Sequence, residues 1–161
     1  MKPVRVFNGP IEVGLRALVL LVEAFPESLD LQRLVTLDYF LLHSGDVDGG
    51  PDSLHPPSPL RSGEVAVRRA LIEDGLTLYR VRGLIKQELS GRGIEYVAED
   101  TAAAFLGAIR SAYVDRLRQR AEWVVCSFGP LKPEDLNRAL EDSLTRWRAE
   151  FAVLPAEGET I

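Results

Sequence analysis

Apolar positions along the chain recur mostly at helical spacing, interrupted by one long aperiodic stretch and one pair of alternating segments. Val4-Arg5-Val6-Phe7 alternates briefly, as a short strand does, and the turn residues Asn8-Gly9-Pro10 close it. From about Ile11 to Phe25 apolar residues wrap nearly the whole circumference, which predicts a central buried helix ended by Pro26. Ser28 is placed to cap a second helix over Leu29 to Leu42, with Leu31, Leu34, Val35, Leu41 and Leu42 as its stripe. Asp38 falls inside that stripe, where a carboxylate needs a partner to offset the cost of leaving water. A salt bridge or a cap for the following loop is the favoured reading there, with a catalytic role as the minor alternative.

Residues 43–62, HSGDVDGGPDSLHPPSPLRS, have no period and carry three glycines and four prolines. Such a length inside a compact domain predicts an ordered loop with an interaction role. Helical spacing resumes from about Gly63 to Arg82, with Val67, Leu71, Leu78 and Val81 on one side and Gly83 as the left-handed residue beyond the end. Leu84 to Leu89 alternates, Ser90-Gly91-Arg92-Gly93 turns, and Ile94 to Ala98 alternates again, which is a β-hairpin pattern. Thr101 then caps a helical segment over 101–128, with Phe105, Ile109, Tyr113, Leu117, Ala121, Val124 and Phe128 as its stripe and an interruption near Ser111. Gly129-Pro130 ends it, and Pro133 opens a last helix over 133–151 whose stripe is Leu136, Leu140, Leu144, Trp147 and Phe151. The expected fold is mainly α with a small β-hairpin (α+β), a winged helix-turn-helix core followed by C-terminal helices. Residues 1–152 form one domain on this reading, and 153–161 a flexible acidic tail.

At 161 residues, 46% hydrophobic and 27% charged, the chain can bury a core without disulfide or metal, which makes disorder a poor account of it. A net charge of −5 argues against a dedicated polyanion binder. Cys126, the single cysteine, has no internal disulfide partner and lies in an apolar run where a thiol is inert, so a reducing, cytoplasmic compartment is expected. MKPVRVFNGP lacks the apolar centre of a signal peptide, and the apolar run Ala17 to Val22 is too short to cross a bilayer.

Candidate chemistry is thin. The loop gathers His43, Asp46, Asp48, Asp52 and His55, which are metal-ligand types. The opening Asp46-Val47-Asp48-Gly49 resembles a calcium loop, but Pro51 interrupts it and no glutamate closes it. A hydrogen-bonded loop is the simpler reading, with no metal, cofactor or catalytic residue expected. No GxxxxGK[ST] or GxGxxG occurs. A winged helix commonly contacts DNA through its third helix and its wing. Here that would involve Arg69 and Arg80 on the helix and Lys86 and Arg92 on the hairpin. Neighbouring carboxylates nearly cancel the basic residues of these two segments, so strong autonomous binding is not expected. Arg110, Arg116, Arg118 and Arg120 form a second basic cluster, read as a solvated face or a subunit contact.

With the loop and hairpin in place, the wording of the chain becomes informative. FNGP at 7–10, LRALVLL at 15–21, LDLQRLV..DYFLLHSGD at 29–46, GGPDSLHP at 49–56, LRSGE at 60–64 and AEWVV at 121–125 together resemble the middle component of bacterial ABC three-component systems, the group that includes Lamassu-type antiphage defence. The resemblance runs from about Phe7 to Phe151 and rests chiefly on the central loop. It implies a non-catalytic accessory subunit bridging a coiled-coil ABC ATPase and an effector, often a nuclease, with any DNA contact made through the complex. Under it, Arg33, His43, Asp46, His55, Arg61, Glu64 and Arg68 are the candidate partner-binding residues, although the arginines serve equally well as intrachain ion pairs. The alternative is a winged-helix DNA-binding transcriptional regulator.

Overall fold

The structure is a computed structural model; it describes residues 9–55 and 61–152, the side chains of 61–66 and 147–152 excepted. The alternating segment at 4–7, the prolines at 56, 57 and 59 and the acidic tail lie outside the described residues. The described chain runs α1 (Pro10–Ala24), β1 (Leu29–Asp30), α2 (Leu31–Leu42), a 3-10 turn at Ser44–Asp46, α3 (Arg61–Val81), β2 (Ile85–Ser90), β3 (Gly93–Ala98), α4 (Ala102–Ala108), α5 (Ala112–Phe128) and α6 (Pro133–Ala152). It is mainly helical with one small antiparallel sheet, in agreement with the α+β expectation. Among the described residues, no helix is long and apolar enough to cross a membrane.

Helix α1 opens on Pro10, whose missing N–H costs nothing at a first helical position. It is buried almost all round, as its circumferential hydrophobicity predicts, and packs against α2, α3 and α5. Gly14 of α1 faces Gly75 of α3, and the two backbones touch. A Cβ on Gly75 would lie 2.6 Å from the Gly14 Cα, and one on Gly14 would lie 2.7 Å from the Tyr79 ring. The core fills with Leu18, Leu20 and Leu21 from α1, Leu34, Leu37, Phe40 and Leu41 from α2, and Ile72 and Leu76 from α3. Phe40 stacks on Phe128 at 4.2 Å between centroids, joining α2 to the end of α5.

Several expectations need correction. Ser28 does not cap α2. Asp30 does, accepting from the Arg33 amide at 2.7 Å, while the Ser28 hydroxyl donates to Glu95 on β3. Leu29 and Asp30 pair with Tyr96 and Glu95, so the hairpin gains a third strand in the order β1-β3-β2. Helix α3 begins at Arg61 rather than Gly63, and its buried face is Arg68, Ile72, Leu76 and Tyr79. Val67 and Val81, expected inside, are 62% and 80% exposed. That helix carries apolar residues on two faces, and Asp38 draws the face bearing Arg68 inward.

The hairpin forms as expected, with Ile85 opposite Ala98 and Ser90 opposite Gly93 across a Gly91-Arg92 turn. Gly83 takes the left-handed conformation at φ 73° after α3. The segment from Thr101 is two helices broken near Ser111, whose side chain caps α5 at Val114. Thr101 makes no side-chain cap; its hydroxyl reaches back to the Gly83 carbonyl at 3.2 Å. The break rotates the stripe, so Leu106 is buried and Phe105 is 39% exposed. Leu136 and Leu140 are buried on α6 as expected. Cys126 is exposed, contrary to the expectation of an enclosed thiol.

Candidate functional site

The loop after α2 is built from short-range polar bonds. Its start is the 3-10 turn at Ser44–Asp46, and its later amides return to the helix end: Leu54 and His55 both donate to the Leu42 carbonyl, at 3.0 and 3.2 Å. Between them, the Ser44 hydroxyl donates to the Asp52 carbonyl at 3.1 Å, and the Gly45 amide donates to the Ser53 hydroxyl at 3.0 Å. Hydroxyls and backbone groups thus satisfy each other across a tight ring, which is why Ser, Asp and Gly dominate this stretch.

Three side-chain contacts dock the ring onto the helices. Tyr39 donates its hydroxyl to Asp46 at 2.8 Å. His55 Nε2 and the Tyr113 hydroxyl lie 2.7 Å apart, tying the loop to α5. Arg146 on α6 pairs with Asp48 at 2.9 Å. The histidine and aspartate side chains of the loop therefore face different partners, and among the described residues no group of three or more His, Cys, Asp or Glu could hold a metal ion.

Beneath the loop lies a buried ionic cluster. Asp38 is 1% exposed and Arg16 3% exposed. Arg16 donates to both carboxylate oxygens, Nε to Oδ1 at 2.7 Å and Nη2 to Oδ2 at 3.2 Å. Arg68 brings a second cation, with Nη1 3.4 Å from Oδ2 and its guanidinium 5.8 Å from the centroid of the Tyr39 ring. Burial pushes the Asp38 carboxyl upward, but Arg16 and Arg68 outweigh it and hold the group below its ordinary value. Burial opposes the charge on Arg16 too, and the Asp38 carboxylate more than restores it. Asp38 is thus an ion-pair partner, the favoured reading of its place in the stripe. Burial raises Tyr113, and Arg16 acts against that shift.

The candidate partner-binding residues separate into distinct settings. Arg33 reaches across to the turn between α5 and α6, donating to the carbonyls of Gly129 at 3.1 Å and Leu131 at 2.6 Å. His43 is buried at the end of α2, its ring 5.1 Å from that of Tyr39. Arg68 is buried with Asp38. Asp46 and His55 are half-buried in the loop bonds given above, while Arg61 and Glu64 lie in the first turn of α3 with their side chains outside the described residues. Of the candidate DNA contacts, all four are exposed. Arg69 bonds Gln32 at 2.9 Å, Lys86 pairs with Glu88 at 3.5 Å, and Arg92 pairs with Glu95 at 3.4 Å. Sequence periodicity signals Asp38 as an intruder in an apolar stripe, and Arg16 interrupts an equally apolar helix, but no local pattern pairs two residues 22 positions apart.

No curated protein and no solved structure matches the chain. The family model described as ABC-three component (ABC-3C) system Middle Component 2 matches residues 6–150, a span that includes the loop, the ionic cluster and every described helix and strand except the last two residues of α6. The chain belongs to the Middle Component 2 family of ABC three-component systems.

Proposed function

We propose that this protein is a non-catalytic cytoplasmic accessory subunit that bridges a coiled-coil ABC ATPase and its effector in a bacterial antiphage defence complex of the Lamassu type. The observation that carries this reading is membership of a middle-component family over nearly the whole described chain. It is supported by the use made of the polar residues that a sequence search would nominate for chemistry. Asp38, Asp46 and His55 all hold the loop or the core in place. The test is co-expression with the proteins encoded beside it. A stable complex containing an ATPase and a second subunit is expected, and a chain that purifies alone under those conditions overturns the reading.

A second reading has its own observation. Strand β1 completes a three-stranded sheet, so helix, strand, helix, helix and hairpin follow in the order of a winged helix. Its α3 and hairpin expose Arg69, Arg80, Lys86 and Arg92. An autonomous DNA-binding regulator would bind duplex DNA with a steep salt dependence. Absence of binding by the isolated chain at low salt removes it.

A further inference from the structure

One cleft lies outside every contact described so far. Residues 49–51 of the loop form one wall, and Arg116, Gln119, Arg120 and Trp123 of α5 form the other, lining an open cleft of about 580 Å³. The four α5 residues stand at i, i+3, i+4 and i+7, so they share one stripe of the helix. The wall opposite is shaped by Gly50. A Cβ there would collide with the Ser44 carbonyl and lie 3.2 Å from the Trp123 ring, so only glycine lets the loop settle against the indole. Trp123 is in turn fixed by its edge-to-face contact with Phe128, at 5.7 Å.

The α5 wall of the cleft is cationic. Neither Arg116 nor Arg120 makes an ion pair with another described residue, in a chain of net charge −5. The Nε of Arg120 is buried with no hydrogen-bond partner among the described residues. Asp115 and Glu122 fall on adjacent stripes of α5 and do not line the cleft. Two guanidiniums one helical turn apart beside a half-buried indole match carboxylates flanking an apolar or aromatic side chain. Arginine and tryptophan are also the residue types that dominate interface energetics. A nucleic-acid backbone fits less well, since it draws its affinity from many phosphate contacts and this cleft offers two cations in a chain of net charge −5.

We propose that this cleft is the docking groove for an acidic segment of a partner protein, one that presents carboxylates to Arg116 and Arg120 and an apolar side chain to Trp123. The inference rests on the bridging reading above and names the surface through which one bridge is made.

The experiment co-expresses the full chain with the proteins encoded beside it, with a photo-crosslinking amino acid in place of Gln119 and, as control, in place of Glu73 on α3. Light should join position 119, and not position 73, to a partner peptide containing Asp or Glu. The double variant Arg116→Glu/Arg120→Glu, checked for an unchanged thermal midpoint, should weaken the complex about tenfold or more. Charge reversal of the crosslinked acidic residues should restore it. A wild-type chain that captures no neighbour overturns the bridging reading and the groove with it. A complex that survives the double variant unchanged, or a crosslink to nucleic acid, overturns the groove alone.

Discussion

Arg16 on α1 grips Asp38 on α2 with both prongs of its guanidinium, at 2.7 and 3.2 Å, in a site almost closed to water. Removing one member of such a pair strands a charge in a medium that solvates it poorly. Asp38→Asn should therefore cost about 3–5 kcal/mol, since it leaves the Arg16 and Arg68 cations facing each other. Arg16→Met should cost less, because Arg68 still faces the carboxylate. Urea denaturation of the two variants checks the order, and equal stability of Asp38→Asn and the wild type would refute it.

Acid should act through the same carboxyl. Its folded-state pKa lies below the ordinary 3.8, so at pH values between the two the unfolded chain binds the extra proton. The stability it contributes is complete above 3.8 and is lost as the pH falls through the folded value. The stability gap between the wild type and Asp38→Asn should narrow on acidification below that point. Denaturation midpoints measured across the acid range test it, and a gap that widens instead reverses the sign of the argument.

Gly75 sets how closely α3 approaches α1. Gly75→Ala would put a methyl 2.6 Å from the Gly14 Cα, where only backbone is available to yield. The helices must separate, at a cost of about 1–3 kcal/mol. Thermal unfolding should show a lowered midpoint, whereas Ala70→Gly at an exposed position of the same helix should lower it only by the helix-propensity difference of about 1 kcal/mol.

Arg33 satisfies carbonyls of the turn between α5 and α6. Arg33→Met should cost about 1.5–3 kcal/mol, the range for hydrogen bonds to a charged group. Hydrogen exchange should quicken in the first turn of α6 before it does so in α1. Unchanged exchange there would mean that the carbonyls are served equally well by water.

Tyr113→Phe removes the hydroxyl that His55 meets at 2.7 Å. A loss of about 1 kcal/mol is expected. The sharper readout is amide exchange at Leu54 and His55, which should rise because the loop loses its tie to α5 while its hydrogen bonds to Leu42 remain.

Local signals were legible where chain chemistry acts over a few residues. Pro10, Gly83, the Gly91-Arg92 turn and Pro133 each mark a boundary that the fold respects. Two-residue β1 was not legible, because Leu29-Asp30 is too short to alternate and its partner lies more than sixty residues away. The inward face of α3 was misread for a physical reason: its core stripe contains Arg68 and Gly75, a cation and a residue with no side chain. Periodicity ranks that face as polar, and only Asp38 and the touching backbones make it the buried one. The α5 cleft likewise joins residues 49–51 to a helix more than sixty positions on, a juxtaposition that no local pattern encodes.

The loop leaves α2 at Leu42 and comes back to the same carbonyl at Leu54 and His55. A detour that starts and finishes at one atom transmits none of its own length to the scaffold. The end of α2 and the chain at His55 are therefore held at one point whatever course residues 43–53 take between them.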